Sequence, residues 1–597
     1  MQELEYPFDT DYIIRKKKAL RRRLLEREGV SYITKKIALL GGSTTNDIKL
    51  ILELFLLNYG IKPEFYESEY NKYFEDALFG NEELDAFAPD ICFIHTTSRN
   101  ILKFPDVTMS EDMCNALLEE TYGKFRSCWQ ALTKRYSCTI IQNNFEMPYF
   151  RLLGNSDSTD VRGRLNFINR LNDKFAEYAR SSENFFINDI NYISAEYGIK
   201  RWADPIDWYR YKYALAVPAI PDFAYNLARI IKAIYGKNKK AFALDMDNTL
   251  WGGIVGDDGP ENIKIGHEDA ESELFTEFQQ YIKAHKDLGV LLTVSSKNDE
   301  ENALAGLARP DSTLKQDDFI LIKANWDNKD INISRIASEL NIGSDSFVFV
   351  DDNPAERGLV SSQIPGISVP EVGAPESYIG ILDRSGFFEV THLSGDDLKR
   401  GEMYKANLER AKSSQSFDNY DEYLKSMDMH AEIKPFAPMY MARIAELTNK
   451  SNQFNLTTLR CSQAEIETFA NDPRYITRYG KLEDRFGDNG VVAVTFGHEE
   501  DTSEGKILHI DLWLMSCRVL KRGMEYAMMD EVIAECKRRG ISKIKGYYYP
   551  TAKNKMVKEF YAGQGFELLR EDSNGNSTWG LELDKPRKSL NTAIKVN

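Results

Sequence analysis

Short apolar runs alternate along this chain with longer amphipathic stretches, and the rhythm predicts strands followed by helices in three successive blocks. In the first, residues 37–40 (IALL) read as a strand that turns through Gly41-Gly42-Ser43-Thr44-Thr45-Asn46 into the amphipathic helix DIKLILELFLLNYG. PDICFIHTT (89–97) and CTIIQNN (138–144) read as further strands. In the second, the strand AFAL runs into acidic residues, a helix follows over 271–288, and VLLTV and SFVFV are later strands. In the third, VVAVTFG (491–497) and KILHIDLWLM (506–515) precede a helix over 524–539 and the strand SKIKGYYY. Two stretches are polar and helical: the basic DYIIRKKKALRRRLLERE (11–28), and a charged connector over 390–432 with a Ser-rich break at Ser413-Ser414-Gln415-Ser416. The expected organisation is a basic helical segment 1–35, an α/β domain 36–236, a second α/β domain 237–389, a helical linker 390–432 and a mixed α/β domain 433–597, an α/β multidomain protein.

A length of 597 residues accommodates several such cores. The formal net charge of −16 and 42% hydrophobic residues describe an acidic globular chain, which argues against nucleic acid or an anionic membrane surface as partner. The longest apolar run, LILELFLL (50–57), is broken by charge and far short of the roughly 18–20 residues that span a bilayer. The first residues lack a basic leader before an apolar core, so a cytoplasmic protein is expected. Seven widely spaced cysteines without a CxxC pair read as free thiols of a reducing compartment. The basic run from Arg15 to Arg23 reads as a solvated helix face or, alternatively, as a dock for an acidic partner.

The most informative stretch is AFALDMDNTLWGGIVGDDG (241–259). Asp245 and Asp247 follow an apolar strand two residues apart, which predicts two carboxylates leaving the carboxyl end of a strand on one side. That arrangement suits magnesium-assisted phosphoryl chemistry, in which oxygen ligands hold the metal and one carboxylate faces phosphorus. Further elements arrive in order: Ser295-Ser296-Lys297-Asn298 after VLLTV, Lys329 in NWDNKDINI, and Asp351-Asp352-Asn353-Pro354-Ala355-Glu356 after SFVFV. A hydroxyl, a cation and a second acidic pair, most of them directly after an apolar strand, complete a phosphate site.

This ordered set resembles the haloacid dehalogenase (HAD) superfamily, and the extension DNTLWGG with GDDG resembles its FkbH-like branch. The resemblance implies Asp245 as the nucleophile position, Asp247 as acid/base, Ser296 and Lys329 as phosphate binders with Thr249, Lys297 and Asn298 beside them, and Asp245, Asp247, Asp351 and Asp352 as magnesium ligands. The short interval between Asp247 and Ser296 leaves no room for a large cap, so the site is expected to admit a bulky second substrate.

The first block resembles SGNH-type hydrolases, with Ser43 at the nucleophile position. A late Asp-x-x-His would supply the base, but here Asp207-Trp208-Tyr209-Arg210 carries arginine, and the only histidine of the block is His95. A serine without an imidazole is a poor nucleophile, so a structural or docking role is expected. In the third block, Ser516-Cys517-Arg518-Val519-Leu520-Lys521-Arg522-Gly523 opening a helix, then Asn554 and Phe560-Tyr561, resemble the GNAT acyltransferase fold. There Cys517, Arg518, Arg522, Gly523, Asn554 and Tyr561 would contact a pantetheine arm of a carrier or of CoA, with Lys521 where that fold usually has glycine. The stretch TNKSNQFNLTT (448–458) also resembles the FkbH-like family.

That family is associated with moving a glyceryl unit from 1,3-bisphosphoglycerate onto an acyl carrier protein as a thioester. Attack of Asp245 on phosphorus would instead release a free carboxylate and waste the activation. Transfer needs a thiolate at the acyl carbon, and residues 237–389 contain no cysteine; position 295 is Ser295. The remaining routes are direct attack by the carrier's phosphopantetheine thiol, relay through Cys517, whose neighbouring Arg518 and helix N-terminus would favour a thiolate, or simple phosphatase chemistry. The alternatives are thus a phosphatase for a small phosphomonoester with accessory docking domains and a GNAT-type acyltransferase.

Overall fold

β1 (Ile33–Gly41) is covered on both faces over its last five residues, as a parallel strand between helical layers must be. In the computed structural model, which describes residues 1–597 apart from 31, 415, 418, 452, 504, 552 and 586, it is the second strand of a five-stranded sheet. Gln415 of the Ser-rich break and Asn452 of the 448–458 stretch therefore lie outside the described residues. The sheet runs β2 (Ile61–Glu67), β1, β3 (Ile91–His95), β4 (Thr139–Asn143) and β5 (Phe185–Asn188), with every neighbouring pair parallel. It belongs to a compact unit comprising Met1–Tyr235 and Cys461–Glu467.

The basic N-terminal stretch forms the helix Thr10–Leu25 and belongs to this unit rather than standing apart. Ile13, Leu20 and Leu24 enter a core with Ile48, Leu52 and Phe55 of the helix Asn46–Asn58. Its cations are matched within the unit: Lys17 to Asp47 at 2.6 Å, Arg21 to Glu53 at 2.8 Å and Arg23 to Glu3 at 2.8 Å. Such exposed pairs are worth only about 0–1 kcal/mol each, but they take up charge that the docking alternative needed.

The second unit holds Gly236–Arg460 and Thr468–Asn597. Its first sheet is four-stranded and parallel, ordered β8 (Leu321–Ala324), β7 (Leu291–Ser296), β6 (Ala241–Leu244), β9 (Phe347–Val350). The chain lays β7 and β8 on one side of β6 and β9 on the other, so the strand order reverses between β6 and β9. The crevice beyond the carboxyl ends of two such strands is where doubly wound sheets bind ligands.

The other sheet is ordered β15 (Glu567–Glu571), β16 (Ser577–Glu582), β14 (Ile541–Tyr548), β13 (Gly505–Met515), β12 (Gly487–Thr502), β11 (Tyr475–Asp484), β10 (Met429–Lys434), β17 (Ile594–Val596). β10 begins inside the stretch expected to be linker, so the helical connector ends earlier, with Gly395–Leu398, Arg400–Ser414 and Tyr420–Ser426. The connector is anchored by charge: Arg410 lies 2.8 Å and Arg522 3.0 Å from the buried Asp484 at the end of β11. β13 and β14 are parallel and pair only between residues 506–509 and 541–545, after which they splay.

Candidate active site

β6 is wholly buried and delivers Asp245, whose backbone amide still bonds to Val350 of β9. The strand then gives way to a tight turn in which Thr249 and Leu250 donate to the Met246 carbonyl and Asn248 takes a left-handed conformation (φ 55°). β9 ends in Asp351 and Asp352 at the same crevice. Oxygens of Asp245, Asp351 and Asp352 lie within 4.8 Å of one another. The helix Lys329–Glu339 starts with the 4%-exposed Lys329, whose Nζ lies 3.0 Å from Asp245 Oδ1 and 2.5 Å from Asp351 Oδ2.

The electrostatics follow from crowding. Burial first, and the neighbouring Asp245 charge second, push the Asp351 carboxyl up to about 6 despite Lys329. The same two causes raise Asp352. For Lys329, burial works against the charged ammonium, but Asp245 and Asp351 outweigh it and hold the lysine above its ordinary value.

Asp247 differs from the expectation that placed it among four metal-ligating carboxylates. Oδ1 accepts from Trp251 Nε1 at 2.9 Å and from the Val255 amide at 3.0 Å, and Oδ2 accepts from Asn298 Nδ2 at 3.0 Å. Among the described residues its carboxylate is no part of the three-acid cluster. The alternation that would align it with Asp245 holds only in an extended strand, and β6 has already ended at Leu244. Burial raises the Asp247 carboxyl above the usual range, against the donors from Val255 and Trp251.

Ser296 ends β7, buried at the same edge of the sheet, and Thr249 accepts from the Asp352 amide at 3.2 Å. Lys297 is held by Glu356 at 2.7 Å. Sequence reasoning missed Arg357, whose guanidinium donates to the carbonyls of Asp351 (2.9 Å) and Asp352 (2.7 Å) and pairs with Glu371. Its place one turn after the acidic pair was the available signal. It also missed Tyr378, donating to the Asn248 carbonyl at 3.1 Å, which nothing in the sequence marked.

Elsewhere the predicted residues are not assembled for catalysis. Ser43 is buried, and its hydroxyl has no partner among the described residues. His95 is packed edge-on against Phe223, its Nδ1 lies 2.9 Å from Asn143, and burial lowers it to about 3. Asp207 and Arg210 sit on the helix Pro205–Tyr211.

In the C-terminal sheet, the proposed pantetheine contacts are largely turned inward. Arg522 is committed to Asp484, and Arg518 bonds to Ser516 and contacts Met403 of the connector. Burial lowers both, Arg522 to about 10. Cys517 is half-buried in a single turn well before the helix Met524–Arg538, and the Tyr404 hydroxyl, buried and beside the thiol, is held high. Lys521 keeps the left-handed conformation (φ 64°) that a glycine would adopt freely, as does Gly523 (φ 84°). Asn554 holds the carbonyls of Asn455 (2.9 Å) and Tyr549 (3.0 Å), and Tyr561 is buried. The chain itself lies against the ends of β13 and β14. Leu456 donates to the Trp513 carbonyl, Met515 to Phe454, and Tyr549 to Leu456, so the 454–456 segment occupies the β13 edge.

Residues 36–232 match the family described as FkbH, N-terminal domain. The N-terminal part of the protein BF1531 from Bacteroides fragilis, containing a phosphatase domain and complexed with Mg, is 32% identical over 63% of this chain and 99% of its own length, with a TM-score of 0.58. The ribosomal-protein-S18-alanine N-acetyltransferase from Escherichia coli aligns with 27% of this chain and 99% of its own at 12% identity and a TM-score of 0.20. Ard1 from Thermoplasma volcanium aligns with 26% and 97% at 18% identity and a TM-score of 0.19. No curated protein matched the sequence.

Proposed function

The chain belongs to the FkbH-like family of the HAD superfamily, and from that membership we propose a magnesium-dependent enzyme that binds a small acyl phosphate such as 1,3-bisphosphoglycerate and passes its glyceryl unit to an acyl carrier protein. Membership of the family makes it a HAD-type enzyme of the phosphatase kind. The observation that carries the proposal is the buried lysine held between Asp245 and Asp351 beside a third carboxylate at the switch point of the sheet.

Three carboxylates within 4.8 Å offer only hard oxygen donors, and Asp351 and Asp352 are raised first by burial and second by the neighbouring Asp245 charge, both of which a bound cation would relieve. Asp245, Asp351 and Asp352 therefore fit a magnesium ion, the metal named for the BF1531 structure. When bound, it supplies positive charge against a phosphate oxygen. Lys329 and Ser296 would hold the phosphate, with Thr249 steadying the Asp352 loop. Asn298 and Trp251 fix the Asp247 carboxyl, whose raised pKa suits proton transfer.

In the transfer, a thiolate sulfur attacks the acyl carbon, the C–S bond forms, the C–O bond to phosphate breaks, and phosphate leaves with the electron pair into the Lys329 pocket, giving a 3-phosphoglyceryl thioester; water then cleaves the remaining phosphate ester, its oxygen going to phosphorus and a proton to the glyceryl oxygen, which gives the glyceryl unit and a second phosphate. The thiol belongs to the carrier's phosphopantetheine, since residues 237–389 contain no cysteine and Cys517 faces the connector tyrosine. No helix among the described residues is long and apolar enough to cross a membrane, and the seven free cysteines suit a reducing, cytoplasmic setting.

The test is incubation of the purified protein with magnesium, 1,3-bisphosphoglycerate and phosphopantetheinylated carrier, read by intact mass. A glyceryl adduct on the carrier is expected. Phosphate release without adduct would leave the phosphatase reading and end the transfer reading. Cys517→Ser is expected to transfer normally.

A further inference from the structure

The C-terminal sheet holds a second cluster of titratable side chains that the proposed transfer does not use. Between β12 and β13 the ladder slips by one residue: Gly497 opposes Ile510 and Phe496 opposes Leu512, leaving Asp511 unpaired in a bulge. Gly497 permits the slip, because a Cβ there would collide with the His509 carbonyl oxygen and come within 3.0 Å of the Ile510 Cα. The bulge turns the Asp511 carboxylate onto His498 of β12, whose Nδ1 lies 2.8 Å from Oδ2 and 3.0 Å from Oδ1. A carboxylate accepts, so Nδ1 carries a proton, and in the neutral form of the ring Nε2 keeps its lone pair. His509 stacks behind His498 with centroids 5.0 Å apart and is itself held by Tyr547 (2.6 Å) and Glu500 (2.8 Å).

His498 and Asp511 line a cavity of about 330 Å³ together with Thr457, Leu459, Phe469, Tyr475, Phe496 and Tyr549. Phe469 stacks on Tyr475 at 5.0 Å and on Phe496 at 4.8 Å, which gives the cavity an aromatic wall. Leu459 and Tyr549 are 39% and 43% exposed and open it to solvent. Among the described residues, no lysine or arginine lines it. A bound anion would therefore face Asp511 and electron-rich rings without a counter-charge, whereas a cation is attracted by both. The volume lies at the lower end of small-molecule pockets.

We infer that this cavity binds a small primary amine carried on an apolar or aromatic body. The ammonium donates to His498 Nε2 within the field of Asp511, and the body packs against Phe469, Tyr475 and Phe496. This reading stands apart from the HAD site and does not depend on its reaction.

Calorimetric titration of the full-length protein at pH 7.5 with phenethylamine, phenethyl alcohol and phenylacetate separates charge from shape. Saturable binding of the amine is expected, with phenylacetate weaker by about tenfold or more. Asp511→Asn preserves shape and removes the charge; it is expected to weaken the amine by about tenfold and leave the alcohol unchanged, which a disrupted fold would not do. His498→Gln is expected to weaken the amine likewise. The assignment is overturned by absence of saturable amine binding, by equal affinity for phenylacetate, or by equal loss of amine and alcohol in Asp511→Asn.

Discussion

Lys329 decides the charge balance of the HAD site. Its ammonium pairs with both Asp245 and Asp351, and those carboxylates keep it charged in spite of its burial. Lys329→Met is expected to lower the rate of phosphate release by about 10²–10³-fold, as removal of a preorganised charge does. It should also cost about 3 kcal/mol in a urea titration of the metal-free protein, because buried carboxylates lose their partner. Asp351 gives a pH test with a defined sign. Its folded pKa of about 6 stands above its ordinary 3.8, so the folded state binds this proton more tightly. The stability it contributes is fully present below 3.8 and is lost as pH rises through about 6. Magnesium is expected to raise Tm at pH 7.5 and much less at pH 5, where the proton competes for the same oxygens. An equal rise at both would place the ion elsewhere.

At the scale of elements, helix packing sets the acid's position through Trp251. The helix Glu300–Ala308 crosses the indole at Gly306, where a Cβ would lie 2.8 Å from the Trp251 ring. Trp251 in turn donates to Asp247. Gly306→Ala is expected to destabilise by about 1–3 kcal/mol through overpacking, measured by denaturant unfolding. Phosphate release should fall with it, since the displaced indole loosens Asp247; unchanged kinetics would show that the indole does not orient the acid.

For the whole molecule, the division into two units has a calorimetric consequence. The Asp245, Asp351 and Asp352 carboxylates and the Asp484 ion cluster all belong to the second unit. Asp484→Ala leaves Arg410 and Arg522 without their buried counter-charge, at a cost of about 3–5 kcal/mol. Scanning calorimetry should show that this variant lowers the same transition that magnesium raises, and leaves the transition of Met1–Tyr235 in place. A shift of both transitions would mean that the units unfold as one.

The crevice at the switch point was legible because its residues sit where apolar strands stop, and strand ends are written in local hydrophobicity. Asp245, Ser296, Asp351 and Asp352 needed only that pattern, and their order along the chain already pointed to one crevice. The role of Asp247 was not legible, because it depends on the turn after Leu244 and on donors from Trp251 and Asn298. Arg518 and Arg522 read as a displayed cationic turn, yet contacts from Met403 and Asp484, far away in sequence, draw them inward. The His498–Asp511 pair carried no local signal, since a one-residue bulge makes it. Sequence alone determined which chemical groups end each strand, because strand length and apolar burial are local properties. Tertiary structure decided which of those groups meet, because side-chain partners come from chain segments whose approach no local pattern encodes.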